Sequence, residues 1–180
     1  GVSSETLEIF ESGVMRSGKM KDRYVFPIFD KADSLVGIAG RDITENQSLK
    51  WKLVGEKRSW AYPLKYNLKY LLSQKEAYLV ESIGDMLALW EAGIKNCIVT
   101  FGLAITSKTK QVLMVIDPKK IYISFNNDEN QAGNTAARKA YDNLRRQFDV
   151  SQLEIKLPSE NDFGCMSKGE IIKWQSQRKT

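Results

Sequence analysis

The sequence predicts an α/β protein organised around a mostly parallel sheet, and three observations carry that expectation. From residue 76 onward, short apolar runs alternate with helical segments, which is the pattern of βαβ units. Before residue 76 the order differs: a short helix, a strand–turn–strand pattern, one more apolar run and a helix. Acidic residues gather just after the apolar runs of the second part, where an open parallel sheet places its ligands.

The elements follow in order. Ser4–Ser12 reads as a short helix opened by a serine cap. "RYVFPIFD" and "SLVGIAGRD" are two strands on either side of the turn-rich "DKADS", so they form a hairpin. Pro27 puts the first of them on an edge or at a bulge. Lys50–Leu53 is a third strand and "LKYNLKYLLSQ" a helix. "AYLV" (77–80), "NCIVTFG", "KIYISF" and "LEIKL" are the strands of the second part. "SIGDMLALWEAG" is a helix stopped by Gly93. "TSKTKQVLMVI", begun by Thr106 or Ser107, "QAGNTAARKAYDNLRRQF" and "SKGEIIKWQSQ" are the remaining helices. The expected architecture is a smaller mixed α+β subdomain over 1–75 followed by a Rossmann-like domain over 76–180.

Composition narrows the chemistry. The 180 residues contain no histidine, which excludes Ser-His catalysis, histidine general bases and His-ligated zinc. Cys97 and Cys165 lie far apart and read as reduced thiols rather than a disulfide framework. No apolar run approaches the roughly 20 residues that span a bilayer, and the first residues carry no signal-peptide pattern. A cytoplasmic protein without membrane contact is expected. Carboxylates, lysines, hydroxyls or a hard metal ion must do any chemistry.

Charge is unevenly spread. Between Leu49 and Lys75 stand seven bases (Lys50, Lys52, Lys57, Arg58, Lys65, Lys69, Lys75) against one acid, Glu56. Trp51, Trp60, Tyr62, Tyr66 and Tyr70 are interleaved with them. Cations on phosphates and aromatic faces on unpaired bases would suit single-stranded nucleic acid. The plainer reading is a solvated basic surface with its aromatics packed inward.

The acids form three groups: Glu81 and Asp85 after "AYLV", Asp128 and Glu129 after "KIYISF", and Asp162 after "LEIKL". Carboxylates converging on one rim repel unless a cation sits between them. Oxygen ligands without histidine suit Mg²⁺ or Mn²⁺. Each acid also has a plain structural reading: Glu81 as a helix cap, Asp85 as a first-turn acid, Asp128 and Glu129 as turn residues.

"YLVESIGDMLALWEAGIKNCIVTFGLAIT" followed by "IYISFNNDENQAGNTAARKA" resembles the TOPRIM domain of DnaG-type DNA primases of bacteria and phages. That family shows a strand, E-G-x-x-D, a helix, a strand ending in a glycine and threonine loop, then a strand, D-x-D-x-x-G and a helix. "RYVFPIFDKADSLVGIAGRDI" and "LKWKL" resemble the N-terminal part of the primase core, and "LPSENDFGCMSKGEI" resembles its later acidic segment. The likeness runs in order along nearly the whole chain.

The resemblance implies synthesis of short RNA primers on single-stranded DNA during replication, with Mg²⁺ or Mn²⁺ as cofactor and no zinc site in this chain. It implies single-stranded DNA template, ribonucleoside triphosphates and a replicative helicase as partners. Glu81, Asp85 and Asp128 take the catalytic positions. Glu81, Asn126, Asp128 and Asp162 take the metal positions, with Gly102 and Thr106 in the loop beside them. Arg41 and Lys50 match the basic groove, and Arg23, Lys52, Lys57 and Arg58 extend the expected nucleotide or nucleic-acid contacts. Three positions depart from the pattern. Ser82 stands for the glycine of the first motif and Asn126 for the first aspartate of the pair. Cys165 stands where the family often has another acid. Asn126 ligates only through a neutral carbonyl oxygen, so Mg²⁺ binding should weaken there unless an acid such as Glu129 compensates. A TOPRIM nuclease and a non-catalytic nucleic-acid-binding module remain as alternatives.

Overall fold

The computed structural model describes residues 1–44, 49–128 and 131–177. Two sheets organise it, and their strand directions follow from how each is connected. The first is antiparallel: β1 (Gly13–Met15), β2 (Arg23–Phe29), β3 (Leu35–Asp42) and β4 (Trp51–Gly55) lie side by side in chain order. Five to eight residues separate consecutive strands in sequence, too few for the crossover that a parallel pair needs, so the chain returns antiparallel. The second sheet is parallel: β5 (Glu76–Val80), β6 (Cys97–Val99), β7 (Lys120–Ile123) and β8 (Leu153–Ile155), in the order β6-β5-β7-β8. Its crossovers carry α3 (Ile83–Glu91), α4 (Ser107–Ile116) and α5 (Ala132–Leu144).

The expected hairpin forms, with Tyr24 opposite Arg41 and Phe26 opposite Ala39. Pro27 is accommodated because β1 reaches only as far as Val25, so β2 is locally an edge at Pro27, and the register shifts just beyond it, between Ile28 and Phe29. Helix α1 is shorter than expected, Ser4–Ile9, and the capping serine is Ser3, whose side chain accepts from Thr6 N–H. Glu11 in a left-handed conformation (φ 52°) ends that segment. Strand β1 was not foreseen; three residues hold too little alternation to register as a strand.

Helix α2 (Leu64–Gln74) stands between the two sheets in sequence and packs on β5 and β6. Just before it, Tyr62 bridges Val99 at the free edge of β6. Strand β5 is buried on both faces, as its unbroken apolar run requires. Tyr78 and Val80 join a cluster with Phe26, Ile28, Ala39 and Trp60 of the N-terminal part and with α3. Ala77 and Leu79 join a second cluster with α4 and α5. One apolar core therefore runs from the first sheet into the second. Helix α6 (Lys168–Ser176) closes the described chain, capped by Ser167 and Glu170 in a reciprocal box. No described helix is long and apolar enough to cross a membrane.

Candidate functional site

The chain runs from β5 to β6 on one side and then returns to β7 on the other. At such a reversal the connecting loops diverge and leave a crevice beyond the carboxyl ends of the strands. Glu81 is the residue after β5, and Asn126 lies in the loop after β7. The structure brings these two together: Asn126 N–H donates to Glu81 Oε1 at 2.9 Å. The loop after β6 is fastened to the same residue, with Gly102 N–H donating to the Glu81 carbonyl at 3.2 Å. A Cβ at Gly133 would collide with the Asn126 carbonyl oxygen, so only glycine lets the start of α5 come this close.

A pocket of about 250 Å³ opens at this point. Glu81 and Asn126 form its polar end; Trp51, Leu53, Ile83 and Phe101 form apolar walls. Trp51 and Leu53 are alternate residues of β4 and present one face of the first sheet to the pocket. Arg41, paired with Trp51 across the sheet, lies 5.8 Å from the Trp51 ring centroid. Phe101 adopts a left-handed conformation (φ 55°) that a bulky residue rarely takes, braced by edge-on contact with Trp60 at 4.9 Å. Sequence reasoning did not single out Phe101; nothing in "TFG" announces that its ring turns toward the acids.

The two acids of the first motif have different surroundings. Burial raises the Glu81 carboxyl above the usual range, the Asn126 N–H opposes this, and the Asp85 and Asp128 charges push it further up. Asp85 is 3% exposed and fully engaged. Its Oδ2 accepts from the Ser82 hydroxyl at 2.6 Å and the Ser82 N–H at 3.2 Å, while Oδ1 accepts from Phe163 N–H at 3.2 Å. Ser82 Oγ in turn accepts from Asp85 N–H at 3.2 Å, a capping box at the start of α3. Asp85 thus ties α3 to the loop that carries Asp162. Burial raises its carboxyl, the Ser82 hydroxyl lowers it and the Asp162 charge raises it again.

Asp162 caps the turn at Phe163–Cys165, its Oδ1 accepting from Cys165 N–H at 2.8 Å. Cys165 is exposed and Cys97 buried, and both thiols are free. Burial pushes the Cys97 thiol well up; its neighbour Asp162 raises that of Cys165. Thr106 caps α4. Glu129, weighed as a compensating acid, lies outside the described residues.

Among the described residues no three His, Cys, Asp or Glu side chains close into a ready-made metal cage. The acids act on one another pairwise instead: Glu81 with Asp85 and Asp128, and Asp85 with Asp162. The residues nevertheless fit a hard ion. Asn126 Oδ1 is buried without a hydrogen-bond partner, an uncommon state for a carbonyl oxygen, and the backbone N–H of the same residue holds the Glu81 carboxylate. Mg²⁺ is ordinarily held by one or two carboxylates, with waters and substrate phosphates completing its shell.

The expected basic contacts divide sharply. Arg23 is corrected: it is 2% exposed, and its guanidinium donates to the carbonyls of Gly40 and Leu49 at 3.1 and 2.9 Å. It holds the first sheet together and presents no cation to a ligand. Lys52 donates to the Lys19 carbonyl at 2.8 Å and alternates away from the pocket-facing Trp51 and Leu53. Lys50, Lys57 and Arg58 are exposed, and Lys57 Nζ reaches the Phe101 carbonyl at 3.5 Å. Of the interleaved aromatics, Trp60 and Tyr62 are each 2% exposed core residues. Tyr66 and Tyr70 pack edge-on against Phe10 and Trp90.

Residues 78–164 match the family model described as Toprim-like. The DNA primase of Borreliella burgdorferi is 33% identical over 182 aligned positions, covering 96% of this chain and 34% of that protein. The DNA primase of Helicobacter pylori is 34% identical over 124 positions, covering 66% of this chain and 22% of that protein. The chain therefore spans about a third or less of these relatives. Among solved structures, the Aquifex aeolicus primase comprising zinc-binding and RNA polymerase domains superposes with a TM-score of 0.76 at 23% identity, over 96% of this chain and 50% of that one. A DnaG primase catalytic domain bound to single-stranded DNA superposes with a TM-score of 0.78 at 20% identity, over 97% of this chain and 68% of that one.

Proposed function

This chain is a sequence relative of the DnaG-type DNA primases and has the fold of their Toprim-containing catalytic core, and on that premise we propose that it supplies the catalytic part of a primase that makes short RNA primers on single-stranded DNA. The observation that carries the proposal is the joining of Glu81 to Asn126 across the reversal between β5 and β7, with the side-chain oxygen of that same Asn126 left unpartnered.

In this reading a primer 3′ oxygen attacks the α-phosphorus of an incoming ribonucleoside triphosphate and pyrophosphate leaves. Glu81, the Asn126 carbonyl oxygen and Asp128 would hold Mg²⁺ or Mn²⁺, and Asp162 contributes through the lone pairs that Cys165 N–H leaves open. The ion supplies neutralisation of charge building on the phosphate oxygens. The Asn126 N–H fixes one Glu81 oxygen and so aims the other. Asp85 serves as a positioning residue, holding the start of α3 against the Asp162 loop. Arg41, beside Trp51, supplies a cation to the triphosphate, and Lys50, Lys57 and Arg58 take template phosphates. Residues 1–75 act as the nucleotide- and template-holding unit and 76–180 as the catalytic unit. A replicative helicase is the expected partner and the cytoplasm the expected compartment.

Primer synthesis on a single-stranded DNA template, with ribonucleotides and Mg²⁺ or Mn²⁺, tests the proposal. The parent chain makes short RNA products, and Glu81→Gln loses more than about a hundredfold, beyond the usual cost of an outer-shell partner of a metal. Cleavage of a labelled strand without synthesis would overturn the reading in favour of a nuclease.

A further inference from the structure

Helix α5 begins at the proposed site and carries an outward face that the reading above does not use. Between residues 132 and 147 the chain has four cations, Arg138, Lys139, Arg145 and Arg146, and one acid, Asp142. At 100° per residue Asn134 and Arg138 share one stripe with Lys139 beside them; Arg145, the C-cap in αR conformation, and Arg146 in the turn after it continue the basic run beyond the helix. All four cations are exposed. The opposite face is buried through Ala136, Ala137, Ala140 and Leu144, so the orientation of the basic face is fixed by packing.

This face is continuous with the site. Asn127, next to Asn126, accepts at Oδ1 from Asn134 Nδ2 at 3.1 Å and donates through its own Nδ2 to the Pro158 carbonyl at 3.2 Å. Asn127, Asn134 and Arg138 then line an open pocket of about 560 Å³. Arg138 forms no ion pair among the described residues. Farther along, Arg145 pairs with Asp142 at 3.1 Å on an open surface, with the two side chains 56% and 59% exposed, which leaves its outer N–H groups for another anion. Arg138 and Arg145 are about 10 Å apart along the axis, the rise of roughly three nucleotides in one strand.

We propose that the outward face of α5 and the turn that follows it form a second phosphodiester-binding track, which holds nucleic acid beyond the catalytic crevice through Arg138 and Lys139 of the helix and Arg145 and Arg146 at its end. It rests on the assignment of the crevice to nucleic-acid chemistry but uses none of its residues. The ligand is a phosphate backbone, read without base specificity. Its source is either the single-stranded template or the duplex formed with the new primer.

The test compares the parent chain, Arg138→Ala/Arg145→Ala and Lys50→Ala/Arg58→Ala in binding to a 6-nucleotide strand, a 24-nucleotide strand and a 24-base-pair duplex across a salt series. The α5 variant should bind the short strand as the parent does and the long probe more weakly. Its log–log salt slope should be shallower by about 1.4 on the single strand, or about 1.8 on the duplex, for two lost contacts. Whichever long probe shows the change identifies the source. Unchanged slopes on both long probes, with the Lys50/Arg58 variant weakened, overturn the α5 track and leave the crevice assignment standing. A parent that binds none of the probes overturns both. Melting temperature checks that each variant is folded, and a charge-preserving Arg138→Lys/Arg145→Lys variant should restore binding to the long probe.

Discussion

Two like-charged pairs, Arg23 with Arg41 and Asp85 with Glu81, differ in how far each member is enclosed. In the antiparallel sheet Arg23 is enclosed and bonded to two carbonyls, while the half-buried Arg41 lies beside Trp51, itself a residue of the pocket wall. Beyond β5 of the parallel sheet, Asp85 of α3 is enclosed and accepts three hydrogen bonds, while Glu81 borders the pocket with one oxygen held by Asn126. The charges in each pair are alike in sequence and close together in the fold. What separates them is enclosure: a charge closed off from solvent and bonded to several protein groups braces the fold, and one at an open pocket with an oxygen or N–H left over is available to a ligand.

Removing the braces should cost most. Arg23→Met deletes at least two hydrogen bonds from a charged group, each worth about 1.5 kcal/mol or more, and leaves the Gly40 and Leu49 carbonyls without those donors. A loss of roughly 3 kcal/mol is expected in denaturant unfolding. A variant as stable as the parent would show that Arg23 is not the clamp of that sheet.

Asp85→Ala should come next, at about 1–3 kcal/mol, because it abandons the Ser82 and Phe163 donors at a helix start. Asp85→Asn, which keeps an acceptor, should recover part of that loss. If both variants melt like the parent and only activity falls, Asp85 belongs with Glu81 and the contrast between them collapses.

Glu81 should behave in the opposite sense. Its carboxyl is raised in the folded state by burial and by neighbouring charge. Between the ordinary carboxylate range and that raised value the folded state binds more protons than the unfolded one. Stability without metal should therefore fall as pH rises through this window. Glu81→Gln removes the dependence while retaining an acceptor for Asn126 N–H. The metal-free variant should melt higher than the parent at neutral pH, with the difference shrinking as pH is lowered. A variant less stable than the parent at pH 7 would make Glu81 a structural cap.

These distinctions were not available from the sequence. Strand and helix periods identify every long element, from the Tyr24–Arg41 hairpin to α5, because burial of one face imposes them. The rim position of Glu81 and Asn126 follows from placing acids after parallel strands. Arg23 and Asp85 look no different in sequence from Arg41 and Glu81 because a formal charge carries no record of its partners. The Gly40 and Leu49 carbonyls and the Phe163 N–H that engage them are distant in sequence. Trp60 and Tyr62 were readable as base platforms or as core for the same reason: only the closing of the first sheet on the edge of the second decides it. Ser82 was legible as a departure from a glycine, but not as the other half of a capping box with Asp85.

The central claim is that Glu81 and Asn126 together form the seat of a divalent ion, and a metal titration of melting temperature in the parent and Asn126→Asp tests it most directly. Replacing the neutral oxygen with a charged one adds repulsion toward Glu81 and Asp128 in the metal-free protein and attraction for a hard cation. An ion bound only by the folded state then stabilises it by mass action. Asn126→Asp should melt below the parent without metal and gain more in melting temperature on addition of Mg²⁺ or Mn²⁺. If the variant gains no more than the parent across the titration, Asn126 does not border an ion and the proposed site loses the observation on which it stands.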